Sequence, residues 1–305
     1  MEPDSLHSRV QERCLLIGAD GRLGHKIADR LRESGVQVVG TSCAVKPGDP
    51  LSWIAYEFPA NSIAERIGGL EFDFVIVAGP LAAPDAGFPD AADDTRRARI
   101  LAGEYDQLFA ALNRAGRSGA PPAIAYVSSD AVFSGNKGRY LETDEPDATD
   151  ACGAIHLAAE RSLMANAARP LILRSAFLFD LDDFRSDTRL MRLHNALMSG
   201  DGISGEKNVF KSPVPISRAV EMIVDSTLAG RTGIVHIPGR RLSIFDFYES
   251  LIQPLGLDGF SGHVSASLSE SPSDTSLVSI HRPELDDGVA AAPLPMPDLT
   301  SAPQR

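Results

Sequence analysis

Cys152 and His156 stand four residues apart, so on a helix they share one face. Thr149 or Asp150 would cap that helix, placing Cys152 in its first turn, where the dipole lowers a thiol pKa. A thiol and an imidazole so disposed can act as an acid–base couple, or the thiol can act as a nucleophile. Ser128 and Ser129 offer hydroxyls at the end of the apolar run Ile124-Ala125-Tyr126-Val127. A further stretch, Gly18-Ala19-Asp20-Gly21-Arg22-Leu23-Gly24, is suited to holding an anion. The apolar run Leu15-Leu16-Ile17 precedes it, and the helical spacing of Ile27 and Leu31 follows, stopping at Gly35. In that setting Gly18 turns the chain, Gly21 lets the backbone approach a pyrophosphate, and Gly24 lets a helix pack closely on a strand. The helix start then faces the phosphates with free N–H groups and the positive end of its dipole.

Alternating strands and helices must position these groups. Residues 36–41 read as a parallel neighbour of the first strand, 53–58 as a short third strand, and 61–67 as a short helix capped by Asn61. Residues 72–79 form a nearly continuous apolar run, the mark of a central parallel strand whose carboxyl end opens onto a ligand. A long helix over 93–116, a strand over 124–129, a strand over 171–174 and helices over 188–198 and 216–228 follow. A strand over 233–237 and a helix from Ser243 to about Leu255 complete the pattern. This is an α/β chain with a doubly wound parallel sheet of the Rossmann type. The expected division is an N-terminal extension at 1–12, one domain over 13–257 with a small discontinuous C-terminal substrate lobe mainly within 176–257, and a tail. From Asp258 to Arg305, Ser, Pro, Asp and Ala dominate, so the tail is expected to be loosely held and irregular, and disordered past Val289.

The expected ligand is a dinucleotide contacted by Gly18, Gly21, Arg22, Leu23 and Gly24. Thr41 and Ser42 stand at the end of the second strand, Ala78 and Gly79 pass beneath the cofactor, and Ser128 and Ser129 lie near the nicotinamide. A ribose 2′-hydroxyl is usually held by an acid about 20 residues past the glycines, whereas a 2′-phosphate needs hydroxyls and a cation. Thr41 and Ser42 with Lys46 nearby therefore point to NADP over NAD.

Composition narrows the partners. A net charge of −12 argues against a nucleic-acid backbone and favours a small-molecule partner. Cys14, Cys43 and Cys152 have no metal-ligand spacing, so no metal is expected. No apolar run approaches the roughly 20 residues of a membrane span, and residues 1–13 lack a signal-peptide core, so cytoplasmic residence is the default expectation.

In order along residues 14–255, the motifs resemble the extended short-chain dehydrogenases/reductases, and within them the dTDP-4-dehydrorhamnose reductase (RmlD-like) branch. The glycine turn, Tyr126-Val127-Ser128-Ser129-Asp130-Ala131-Val132-Phe133-Ser134-Gly135, Tyr140-Leu141-Glu142, Lys211-Ser212-Pro213 and Thr232-Gly233-Ile234-Val235-His236-Ile237 carry the likeness. The resemblance implies NAD(P)-dependent reduction of a nucleotide-linked keto sugar, in which a Ser or Thr, a Tyr and a Lys four residues on manage the proton. Ser129 matches the first position, whereas Cys152 stands for the tyrosine and His156 for the lysine. Arg218 stands where relatives carry an acid, and Leu101 or a neighbour stands at the family's asparagine. The altered pair leaves other readings open. One is a non-catalytic cofactor-binding regulatory or partner subunit, for which a methionine adenosyltransferase regulatory subunit in the same branch is a precedent. Others are a repurposed Cys/His enzyme of a biosynthetic pathway, and sugar reduction with water or Tyr140 as proton source. Assembly as a homodimer or with a regulatory partner stays open as well.

The remaining polar residues have plainer readings. Lys137 and Arg139 could meet substrate phosphates or serve solubility, His236 fits a satisfied core position, and Arg174 could bind an anion or form an internal ion pair.

Overall fold

Leu15 and Ile17 point to one side of their strand and Leu16 to the other, so the first strand needs apolar cover on both faces. The computed structural model, which describes residues 11–42, 52–56, 62–79, 81, 91–260 and 262–281, supplies it. Strands β1 (Arg13–Ile17), β2 (Gln37–Ser42), β3 (Ser52–Ala55), β4 (Phe74–Val77), β5 (Ala123–Ser129) and β6 (Pro170–Ser175) join the strand Gly233–Ile237 in one parallel sheet. From one edge the order is Gly233–Ile237, β6, β5, β4, β1, β2, β3. Leu15 sits in register with Val39 on one side and Val75 on the other. The order reverses between β1 and β4, the switch point beyond whose strand ends such sheets bind their ligands.

Helices α1 (Arg22–Glu33) and α6 (Ile216–Leu228) cover one face, where Leu16, Ile27, Leu31, Ile76, Leu173 and Ile223 pack. Helices α2 (Ile63–Ile67), α3 (Ala91–Asn113) and α4 (Ala151–Asn166) cover the other, with Tyr105, Phe109, Tyr126, Ile155 and Leu163 in that core. A separate apolar cluster holds the lobe together, built from α5 (Thr188–Met198), α7 (Ile244–Leu251), Phe179, Phe184 and Leu257.

The doubly wound parallel sheet is thus present as expected, while several boundaries move. The third strand ends at Ala55, the central strand is Phe74–Val77, and the long helix starts two residues earlier and stops at Asn113. Helix α2 begins after Ser62, and Asn61 lies outside the described residues, as do Cys43, Lys46 and Val289.

The stretch after Asp258 departs most from expectation. Val264–Ser267 pairs in parallel with Ile203–Glu206, and Ser273–Asp274 pairs with Val209–Lys211. Leu277, 1% exposed, packs with Val132, Phe133 and Tyr140. Burying one such leucine contributes about 1.5–3 kcal/mol, against roughly 1–2 kcal/mol to order each backbone residue. A few anchors, Val264 and Leu277, act together with main-chain bonds such as Thr275 N–H to the Phe210 carbonyl (3.1 Å) and Val278 N–H to the Tyr140 carbonyl (2.8 Å). An average over a Ser-rich composition conceals these anchors.

Candidate functional site

Gly18 leaves β1 at φ +81°, and Gly24 sits so close behind it that an added Cβ would meet the Gly18 carbonyl oxygen at 2.1 Å. Gly21 precedes α1 and offers no side chain to bond the first-turn amides. Nothing in the protein's own packing demands glycine there, because a Cβ would meet only the Gly18 oxygen at 3.5 Å, an ordinary contact. An uncapped helix start behind a backbone open to close approach fits a pyrophosphate. Ala78 lies beneath the turn, its amide bonded to the Ile17 carbonyl at 3.0 Å, and Gly79 follows at φ +118°. Gly18, Gly21, Leu23, Gly24, Ala78 and Gly79 are therefore brought together.

The side chain of Arg22 has another task. Its guanidinium meets Asp187 at 2.9 Å, and Lys26 one turn on meets Asp180 at 3.2 Å. Both acids are buried, so α1 is tied to the lobe by two ion pairs. Thr41 and Ser42 are also committed. Thr41 Oγ1 accepts the Gly18 N–H at 3.2 Å and Ser42 Oγ donates to Asp20 at 2.9 Å, both hydroxyls buried beneath the turn. Asp20 thereby brings a carboxylate to the end of β2 from the glycine turn itself. With Asp20 beside Thr41 and Ser42, the end of β2 presents an acid as well as hydroxyls, a set that does not by itself favour NADP over NAD.

Ser128 and Ser129 project to opposite faces of β5. Ser128 Oγ donates to Glu160 at 2.6 Å, in the buried ion pair that Glu160 makes with Arg174 at 3.0 Å (Nε) and 2.7 Å (Nη2). Ser128 thus serves the interior and not the nicotinamide position expected for it, and Arg174 takes the ion-pair reading. Ser129 is half-buried, and its Oγ accepts the Ala131 N–H at 3.1 Å, capping the 3₁₀ turn Asp130–Val132. Asp130 in that turn holds Lys211 at 2.8 Å and Thr275 at 2.6 Å, which joins the turn to the lobe.

Asp150 caps α4 by accepting the Gly153 N–H at 2.7 Å, so half-buried Cys152 does lie in the first turn. A Cβ on Gly153 would meet the Ala131 carbonyl at 2.1 Å, so this glycine allows α4 to press onto the turn carrying Ser129. His156 shares the helix with Cys152, but its Nδ1 lies 2.8 Å from the Tyr126 hydroxyl, in the core between α4 and β5. Burial lowers its pKa to about 4, against the opposing pull of Glu160, Asp130 and Asp150. Tyr126 was read only as strand filling. A tyrosine in an otherwise small, aliphatic strand was the available signal.

A pH dependence follows from this. The unfolded imidazole takes up its proton near pH 6.5 and the folded one only near 4, so the stabilising term is complete above 6.5 and is lost as pH falls toward 4. Stability should drop by up to about 3 kcal/mol across that window at about 1.4 kcal/mol per unit, with a shallower slope in His156→Gln. Urea midpoints measured at a series of pH values check it, and equal slopes in the two proteins would contradict the assignment.

Tyr140 is buried and stacked on Phe133 at 4.0 Å, with its hydroxyl accepting the Lys137 N–H at 3.1 Å. That is a core position and a poor source of a proton. His236 is a core residue as well, its Nδ1 lying 2.9 Å from the Val278 carbonyl. Lys137 pairs with Asp144, and exposed Arg218 pairs with Glu221 at 3.0 Å. The side chain of Leu101 lies outside the described residues.

Arg189, absent from the sequence reading, opens α5 with its guanidinium 4.0 Å above the Phe177 ring. Among the described residues it makes no ion pair, although Asp187, Arg22, Asp130 and Tyr248 are near enough to act on it. It is within electrostatic reach of Arg22 in the first turn of α1 and of Asp130 in the Ser129 turn, a relation visible only in three dimensions. No described helix is long and apolar enough to cross a membrane, and no described group of His, Cys, Asp and Glu could hold a metal.

Comparison with known proteins places this arrangement. No curated protein sequence matches the chain. A dTDP-4-dehydrorhamnose reductase from Clostridium acetobutylicum has a similar structure, with a TM-score of 0.67 at 21% identity over 85% of this chain and 84% of that one. MoeE5 in complex with UDP-glucose and NAD gives a TM-score of 0.69 at 21% identity, covering 88% and 89% of the two chains. The Bacillus anthracis dTDP-4-dehydrorhamnose reductase in complex with NADP gives 0.64 at 16% identity, covering 85% of each. These likenesses show the fold. The model of the RmlD substrate binding domain matches residues 12–276, from β1 through the paired segment after Asp258, and the chain belongs to that family.

Proposed function

We infer that the chain binds NAD or NADP across the glycine turn and acts on a nucleotide-linked keto sugar beside it. The observation that carries this reading is the uncapped start of α1 held against Gly18 by Gly24. The complexes of MoeE5 with UDP-glucose and NAD, and of the Bacillus anthracis reductase with NADP, support it by likeness of fold. A cytoplasmic setting, where such cofactors are supplied, is part of the reading.

When bound, the nicotinamide supplies hydride chemistry. The chain's own residues do the rest. The amides of Arg22, Leu23 and Gly24 hold the pyrophosphate, and Ser129 orients the substrate oxygen. Cys152 and His156 occupy the place of an ordinary tyrosine and lysine, without the phenol's reach or the ammonium's fixed charge. Arg189, stacked on Phe177 and without an ion pair among the described residues, meets the negative diphosphate of the substrate.

Titration of nicotinamide fluorescence with NADPH and NADH tests cofactor binding, and oxidation with a dTDP- or UDP-linked 4-keto sugar tests turnover. Arg189→Ala should weaken competition by dTDP or UDP about tenfold, equivalent to about 1.4 kcal/mol, while leaving NADPH affinity unchanged. Equal loss for both ligands, or none for either, would remove Arg189 from the substrate side. A second reading, a cofactor-binding regulatory or partner subunit, is favoured by the engagement of His156 with Tyr126 in the core. NADPH binding without oxidation by any keto sugar, and unaltered by Cys152→Ala, is its expected signature.

A further inference from the structure

A hydrogen bond between a phenol and an imidazole can run in either direction, and the direction decides what the imidazole can do. Tyr126 and His156 are both buried, at 0% and 4% exposure, with the hydroxyl 2.8 Å from Nδ1. An imidazole nitrogen is a far stronger acceptor than a phenol oxygen, so the O–H···N arrangement is the more stable of the two. The proton on one ring nitrogen is set by the bond that the other makes.

We propose that Tyr126 is a positioning residue that locks His156 as the neutral Nε2–H tautomer, so that His156 serves the site as a hydrogen-bond donor and not as a base for Cys152. The inference rests on the proposed function only for what the Nε2–H meets. The tautomer follows from acceptor strength together with the neighbouring phenol: the Tyr105 hydroxyl accepts the Leu81 N–H at 3.3 Å and hydrogen-bonds Tyr126, so its own proton can go to the Tyr126 oxygen and leave the Tyr126 proton for Nδ1.

Two alternatives fail on physical grounds. For His156 to deprotonate Cys152, Nδ1 would have to leave Tyr126 or Nε2 give up its proton, and the resulting imidazolium would be buried beside a phenol. For Tyr126 to pass its proton through His156 to a substrate oxygen, the phenolate would have to form in the core, where burial and the neighbouring Tyr105, Glu160 and Cys152 raise the phenol pKa well above its usual range. The groups facing the imidazole are Tyr126 on β5, Glu160 and Asp150 on or capping α4, and Asp130 in the adjoining turn. The acids favour a charged ring but do not overcome its burial.

Two-bond proton–nitrogen spectra of the ¹⁵N-labelled, full-length protein read the tautomer directly, with the His156 signals assigned by their loss in His156→Gln. The expected pattern is Nε2 protonated and Nδ1 bare, flat from about pH 5 to about pH 8. In Tyr126→Phe the ring should become a mixture of tautomers and titrate at a higher pH than in the wild type. An Nδ1–H pattern, an imidazolium at neutral pH, or a pattern indifferent to Tyr126→Phe would overturn the proposal. Should that variant fail to fold, the wild-type spectrum still decides. The rate of Cys152 alkylation by iodoacetamide should show a single thiol inflection, and an added inflection shared with the His156 titration would restore the base. Neither readout needs cofactor or turnover, so a protein that ignores NADPH would defeat the functional reading and leave this one intact.

Discussion

Gly24→Ala should abolish NADPH binding and lower stability by about 3 kcal/mol, the upper end of the range for an overpacked site. The new methyl carbon would stand 2.1 Å from the Gly18 carbonyl oxygen, 2.8 Å from Ala19 Cα and 2.9 Å from the Gly18 carbonyl carbon. All three are backbone atoms, so no flexible side chain can swing aside. Helix α1 would have to lift from β1, loosening Ile27 and Leu31 from the sheet and moving the first-turn amides away from the anion they are aimed at. Gly21→Ala gives the contrast, since its Cβ would meet only the Gly18 oxygen at 3.5 Å. Its stability should stay within about 0.5 kcal/mol of wild type while NADPH affinity falls, because the methyl occupies the space a pyrophosphate would enter. Urea unfolding and nicotinamide fluorescence on the two variants separate the effects. A Gly21→Ala protein that binds NADPH as the wild type does would mean that no dinucleotide approaches the turn.

The second large effect is expected at Glu160. This carboxylate receives Ser128 Oγ and both the Nε and Nη2 of Arg174, whose side chain is 2% exposed and lies 5.1 Å from the Phe133 ring centre. Glu160→Ala would strand the guanidinium in the core and leave the Ser128 hydroxyl without its acceptor, which should lower stability by about 3–5 kcal/mol. The double substitution Glu160→Met, Arg174→Met removes both charges, and it should recover most of that loss because apolar groups of similar volume replace the pair. Urea midpoints with unchanged slopes check both proteins. A single variant within about 1 kcal/mol of wild type would show that the pair is compensated by neighbours. The outcome also bears on the site, because Arg174 and Ser128 end the strands against which the Ser129 turn is built.

Legibility differed from one part of the site to another. The turn from Gly18 to Gly24 could be read because every constraint on it is local: a buried strand before, a helix after, and two positions, Gly18 and Gly24, where the backbone needs glycine. Both Ser128 and Ser129 were placed near the nicotinamide, yet adjacent residues of a strand point apart, and Glu160 on α4 claims the first. Thr41 and Ser42 were credited with reaching outward, but the turn they support lies directly over them. Residues after Asp258 were judged by average composition, whereas their order rests on single anchors such as Leu277 and on backbone pairing that composition does not report.

By itself the amino-acid sequence determined the parallel α/β architecture and the glycine bend that leads from β1 into α1, because periodicity, glycine spacing and motif order are carried by near neighbours. Tertiary structure alone decided where the side chains lead. Tyr126 reaches His156 across 30 residues of chain, Asp130 reaches Thr275 across 145, and Arg189 stacks on Phe177 with no ion pair among the described residues while Arg22 and Lys26 find theirs. Those outcomes depend on which elements the fold brings face to face, and a hydrogen bond or ion pair a few ångströms long is fixed only once they have met.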